Sequence, residues 1–270
     1  MAIDVSSLWD FGNPQLSESR FREALVGASK DDQLILKTQI ARTLGIRREF
    51  ERARELLSEL ERDLTDAGPE ANVRYWLELG RTYCSATHPP ESQTERAKEL
   101  ARDAYTRAFD CAKHGDLDGL AVDALHMMTM VDTAPADQIE WNQKALTFME
   151  ISNQDAAKNW EGSLRNNLGY ALHQAGRFDE AHVEFERARE LRVQAGNSKG
   201  ERIARWMIAW NFRAMDRIDE ALSMQLDLEK EWQDEGSPDP YVFEELEHLY
   251  RALGDAAKAE HYRSKQEKQA

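Results

Sequence analysis

Small residues recur along this 270-residue chain where two helices would have to cross. Ala41 is followed by Ala53, Gly169 by Ala181 and Ala209 by Ala221, each twelve positions later, and each second alanine comes three residues after Phe50, Phe178 or Ile218. Helices approach to about 8–10 Å only where the side chains at the crossing permit it. A glycine inside a helix costs about 1 kcal/mol relative to alanine, so Gly169 implies a close approach worth more than that. Leucine and aromatic positions beside the small ones supply the apolar face, and one helix hairpin cannot bury such a face alone. Neighbouring hairpins must therefore stack.

The punctuation agrees with helix pairs. Asn13-Pro14 places an N-cap residue before a proline at the first helical position, and Gly68-Pro69, Ser237-Pro238, Asp239-Pro240 and the region of Pro135 read as similar openings. Alternation of β-branched residues with period two is absent over any useful length. With only 14 Gly and 7 Pro, turn-rich all-β folds are disfavoured, and seven Trp, nine Phe and seven Tyr provide too much burial for a disordered chain. The chain is expected to be all-α.

Asn167-Leu168-Gly169-Tyr170-Ala171-Leu172-His173-Gln174-Ala175-Gly176-Arg177-Phe178-Asp179-Glu180-Ala181, followed by Phe185 and Ala188, resembles the tetratricopeptide repeat. Looser copies contain Ile40, Leu44 and Leu57; Trp76, Gly80 and Tyr83; Ile208, Phe212 and Leu228; and Leu246, Tyr250, Gly254 and Ala259. The copy opened by Trp76 is interrupted by an insertion bearing His88-Pro89-Pro90 and is completed by Ala101, Tyr105 and Ala108. Residues 119–161 are the most degenerate, with His126 and Gln138 where small residues are usual. The resemblance, to a stand-alone repeat protein of bacterial type, implies a right-handed α-α superhelix (solenoid) of about six helix hairpins over 34–270. Repeats start near 34, 73, 119, 162, 202 and 240, and residues 1–33 form an N-terminal arm and capping helix.

Charge and motifs exclude several kinds of work. The net charge of -15, with no net basic segment, lacks the electrostatic footprint of nucleic-acid binding. No run approaches the roughly 18 apolar residues of a spanning helix, and the first ten residues lack the features of a secretory leader. A cytoplasmic protein with no membrane partner is expected, with Cys84 and Cys111 as free thiols. Nucleophile-elbow, dinucleotide, P-loop and zinc-protease motifs are absent. Asp116-Leu117-Asp118-Gly119 fails as a calcium loop, because His114 and Leu125 stand where carboxylates are needed. Glu245 and His248 form a single Glu-x-x-His, half of what a di-metal bundle requires. No catalysis, cofactor or metal is expected.

In the family, first helices line a concave face that binds peptides. Carried onto this chain, the resemblance assigns to that groove Gln39, Arg42, Glu78, Arg81, Asp123, Met127, Asn166, Asn167, Tyr170, His173, Trp206, Trp210, Arg213 and His248, with Glu244, Glu245 and Arg251 beside them. The family's carboxylate-clamp set is not reproduced. The residue types still suit recognition: Asn provides donors and an acceptor for a peptide backbone, Arg holds carboxylates, and aromatic residues anchor interfaces. A non-catalytic adaptor binding a protein segment or peptide is the expectation. Its rivals are a structural, self-associating homo-oligomer subunit and a peptide- or small-ligand-sensing module. Trp9 and Phe11, outside the repeats, either cap the first hairpin or lie in the groove as an internal competitor.

Overall fold

Proline opens four of the helices, because its missing N–H falls where a helix has no partner for it and its fixed φ is already helical. In the computed structural model, which describes residues 3–268, these are α1 (Pro14–Ala24), α4 (Pro69–Tyr83), α7 (Pro135–Ile151) and α13 (Pro240–Ala252). The others are α2 (Lys30–Ile46), α3 (Phe50–Leu60), α5 (Glu95–His114), α6 (Asp118–Val131), the single turn α8 (Asp155–Lys158), α9 (Glu161–Gln174), α10 (Phe178–Gln194), α11 (Ser198–Ala214), α12 (Ile218–Asp234) and α14 (Ala256–Glu267). Short 3₁₀ turns lie at Ser6–Leu8, Glu61–Asp66 and Pro90–Ser92, and no strand occurs among the described residues. The fold is an all-α helical repeat. Ser237-Pro238 does not open a helix: Asp239 is the N-cap of α13, its side chain accepting from the Tyr241 N–H.

The chain divides into two compact units, one ending at Trp160 and the other beginning at Glu161. In the first, α2 pairs with α3, α4 with α5 and α6 with α7, and each first helix also packs on its neighbours: α2 on α4, and α6 on α5. In the second, α9 pairs with α10, α11 with α12 and α13 with α14, again with α10 on α11 and α12 on α13.

The small residues sit where the crossing argument requires them. A Cβ on Gly80 would lie 2.5 Å from Tyr105 Cε1, and one on Gly169 2.6 Å from Phe185 Cε1. Tyr105 and Phe185 are themselves fully buried, as are Ala53, Ala101, Ala181 and Ala221. Around them, Phe21, Leu36, Ile40, Leu57 and Leu77 fill the first unit, and Leu164, Ile208, Leu228 and Leu246 the second. Each such side chain contributes roughly 1.5–3 kcal/mol of burial.

One turn geometry closes four of these hairpins, α2–α3, α9–α10, α11–α12 and α13–α14. Backbone N–H groups of Glu49, Arg177, Arg217 and Asp255 return to the carbonyls of Leu44, Leu172, Phe212 and Tyr250, each at 2.9 Å. This closure puts the preceding residue at positive φ: Gly176 at 74°, but also Arg48 at 64° and Asp216 at 60°. The His88-Pro89-Pro90 insertion is not slack. His88 stacks on Phe50 with ring centroids 3.8 Å apart and hydrogen-bonds the Thr82 carbonyl at 3.1 Å through Nε2.

Candidate functional site

In the second unit the exposed face of the first helices is aromatic. Tyr170 of α9 stacks with Trp210 of α11 at 5.7 Å between centroids, Trp210 with Trp206 at 6.1 Å, and Trp206 meets Tyr241 of α13 edge-on at 6.5 Å. Helical spacing places Trp206 and Trp210 on one face of α11, and the Trp206 indole N–H donates to the Tyr241 carbonyl at 3.1 Å. The row is not core: both tryptophans are half-buried, and Tyr170 and Tyr241 are 45% and 64% exposed. At its α13 end the row borders a mainly apolar cavity of about 380 Å³ lined by Ile203, Trp206, Met207, Trp232, Tyr241 and Val242.

Polar groups flank the row. His173 stacks on Trp210, its ring centroid 3.4 Å away. Asn211 Nδ2 donates to the Phe178 carbonyl at 2.9 Å, which leaves Asn211 Oδ1 to accept from His173 Nδ1 at 2.8 Å. Burial pushes the His173 pKa below its ordinary value, outweighing the Asn211 hydrogen bond, and so favours the neutral ring. Arg213 Nε and Nη2 donate to Glu245 Oε1 and Oε2 at 2.5 and 3.1 Å, and His248 Nδ1 stands 3.9 Å from Glu245. Asn166 and Asn167 lie on α9 with Tyr170 and His173. Every second-unit residue assigned to the groove is therefore on α9, α11 or α13, and the aromatic ones form a single row.

The first unit differs. Arg81 Nη1 donates to Glu78 Oε1 at 2.6 Å and its Nη2 to both oxygens of Asp123 at 2.6 and 2.7 Å, tying α4 to α6. Burial opposes both charges. For Asp123, Arg81 and Arg42 outweigh it and hold the carboxyl below its ordinary value; for Arg81, Asp123 and Glu78 outweigh it and raise the guanidinium. Gln39, Glu78, Asp123 and Met127 are buried, so these assigned positions are supports more than open walls. Arg42 is the accessible one, its side chain 27% exposed and 3.6 Å from Glu78 Oε1. A cavity of about 210 Å³ lies among Arg42, Glu78, Arg81, His126, Met127 and Phe11.

Residues 160–228 match the tetratricopeptide repeat family model. Over that stretch, α9 to α12, the chain carries the tetratricopeptide repeat pattern. Solved structures share the fold at 12% sequence identity. A signal transduction ATPase with numerous domains from Pyrococcus horikoshii, with a tetratricopeptide repeat sensor, aligns over 96% of this chain with a TM-score of 0.67. The chain spans 39% of that protein. A Rap protein complexed with competence and sporulation factor aligns over 97% of this chain and 73% of its own, with a TM-score of 0.63. NprR in complex with its cognate peptide NprX aligns over 97% and 74%, with a TM-score of 0.58. No curated protein matches the sequence.

The match begins at the N-terminus of α9, so the family pattern is sharpest in the repeats that carry the aromatic row. Tyr241, in the first turn of α13, and the cavity beside Trp206 lie outside the repeat's signature positions and were invisible to it. The same holds for a larger apolar cavity of about 610 Å³ on the first unit, between α5, α6 and α7, lined by Phe109, Trp141, Phe148 and Ile151. Thr106, Glu140, Gln143, Lys144 and Thr147 also border it, and its walls come from the second helices α5 and α7 together with α6. Among the described residues no helix is long and apolar enough to cross a membrane, and no three His, Cys, Asp or Glu are grouped to hold a metal. Cys84 and Cys111 are free; burial pushes both thiols up, and Cys84 Sγ donates to the Met130 carbonyl at 2.9 Å.

Proposed function

We propose that this tetratricopeptide repeat protein is a non-catalytic adaptor whose first-helix faces bind a protein segment or peptide, with the α9–α11–α13 face as the main groove. The observation that carries the reading is the row Tyr170–Trp210–Trp206–Tyr241 ending at an apolar cavity. An extended segment lies along the rings and sets one apolar side chain in the cavity beside Trp206. The carboxamides of Asn166 and Asn167 serve its backbone, and Arg213, held in place by the buried Glu245, fixes its register through charge. Rings with two χ angles lose little freedom on binding, which suits them as anchors. The fold is shared with Rap and NprR, whose structures hold a competence and sporulation factor and a cognate peptide. In this reading residues 1–33 form the arm and cap, and 34–270 the repeats.

The test is a peptide selected on the full chain from a displayed random library and titrated calorimetrically. Trp210→Ala with Asn167→Ala is expected to weaken it by about 2 kcal/mol or more, as for a central aromatic anchor, without unfolding the chain. Phe148→Ala, on the α5–α7 cavity, is expected to leave it unchanged. Native affinity in the folded double variant, or loss of binding in Phe148→Ala, would remove the groove from this face.

A further inference from the structure

The arm before α1 is anchored through Val5 and Trp9 in the core of the first unit and through Asp10, whose N–H donates to the Oγ of the fully buried Ser17 at 2.7 Å, whereas the Phe11 ring is 61% exposed. Trp9 and Phe11 lie ring on ring, centroids 4.6 Å apart and planes 1° from parallel. Both rings face the guanidinium of Arg42, at 5.7 and 5.6 Å. The Trp9 indole N–H donates to Gln39 Oε1 at 3.0 Å. Gln39 is fully buried, and its amide nitrogen already donates to Thr38 Oγ1 at 3.2 Å, so its oxygen serves the arm.

A cap alone does not explain this arrangement. Phe11 is mostly exposed beyond its stack on Trp9, and it stands at the wall of the cavity formed with Arg42, Glu78, Arg81, His126 and Met127. Arg42 makes no hydrogen bond among the described residues; its contacts are the two rings and Glu78 at 3.6 Å. Asp10, between the rings, turns away: its carboxylate accepts from the Gly12 and Asn13 N–H groups at 3.0 and 3.1 Å. Gln39 and Arg42 thus read two rings and ignore the residue between them. Stacked aromatic rings over a guanidinium are a favourable pairing, and this one is open to water on its Phe11 side, where such contacts are weaker.

We propose that the α2–α4–α6 face is a second peptide site, that its ligand class is a segment with two aromatic residues separated by one, and that Trp9-Asp10-Phe11 is its resident, displaceable occupant. This rests on the reading that first-helix faces bind peptides. A tethered occupant competes at high effective concentration, so a free ligand binds the intact chain weakly and the emptied site more tightly.

The probe is a fluorescein-labelled peptide of residues 4–13, and a second in which the positions of Trp9 and Phe11 carry alanine. Both are titrated by anisotropy into the full chain and into its Trp9→Ala/Phe11→Ala variant. The ring-bearing peptide is expected to bind the variant at least ~10-fold more tightly than the intact chain, the ring-less peptide to bind neither, and added Arg42→Ala to abolish the gain. Phe11→Ala alone, which removes an exposed ring, gives a smaller gain in the same direction and covers the case in which the double variant does not fold. Equal affinity of the two peptides, or no binding to either folded variant, overturns the proposal. A library-selected peptide still sensitive to Trp210→Ala with Asn167→Ala would then show that only this second site has failed.

Discussion

Arg81 Nη2 holds both carboxylate oxygens of Asp123, at 2.6 and 2.7 Å, and with them ties α4 to α6. The side chains are 12% and 9% exposed, so removing one partner leaves a buried charge uncompensated. Asp123→Ala is expected to cost about 3–5 kcal/mol, read as a lower urea midpoint. Acid acts on the same link. The folded carboxyl titrates below its ordinary value of 3.8, so its contribution is complete above that pH and is lost as pH falls through the folded pKa. An Asp123→Asn chain should show a shallower loss of stability between pH 4 and pH 2 than the unaltered one.

Histidines act over a higher range. Burial lowers the pKa of His88, His126 and His173 from the ordinary 6.5, against opposing contributions from neighbouring acceptors. The folded chain therefore binds fewer protons than the unfolded one, and stability is full above pH 6.5 and falls as pH drops through the folded values. NMR titration of the imidazoles should place all three midpoints below 6.5, and the urea midpoint should decline from pH 7.5 to pH 5.5. A midpoint of His173 above 6.5 would contradict its placement between Trp210 and Asn211.

At the helix crossings, Ala181→Leu is expected to overpack and cost about 1–3 kcal/mol. Gly169→Ala should destabilise too: the added Cβ would meet the fully buried Phe185 ring at 2.6 Å, outweighing the roughly 1 kcal/mol gain in helix propensity. An unchanged urea midpoint in Ala181→Leu would show that this residue is not at a crossing.

The hairpin turns offer the opposite sign. Arg48 and Asp216 are exposed non-glycine residues at φ of 64° and 60°, a conformation costing roughly 1–2 kcal/mol outside glycine. Arg48→Gly and Asp216→Gly are each expected to gain up to about 1 kcal/mol, part of the relief being offset by glycine's greater unfolded entropy. Raised thermal midpoints would bear this out.

Much of the fold was legible because the repeat is local. Glycine or alanine followed by alanine, with leucines and aromatics at helical spacing, is a statement about one hairpin, and Gly169, Ala181 and Phe185 carry it in seventeen consecutive residues. That Tyr170, Trp206 and Trp210 share the first-helix faces of α9 and α11 was legible for the same reason, since first-helix faces recur at fixed offsets. The first unit was harder. Gln39, Glu78 and Asp123 occupy the same offsets, but which of them face solvent depends on charge pairing across forty-two residues between Arg81 and Asp123, and no local pattern encodes that. The division at Trp160 and the seating of Trp9 and Phe11 on Arg42 are likewise tertiary facts. His88 stacking on Phe50 was hidden by an insertion that reads as a loop.

The most direct test of the central claim is amide hydrogen exchange of the full chain with and without the library-selected peptide. The account predicts added protection on α9, α11 and α13, greatest around Trp206 and Trp210, with α10, α12 and α14 unchanged on their outer faces. Protection centred on those second helices, or on α5 and α7, would contradict it.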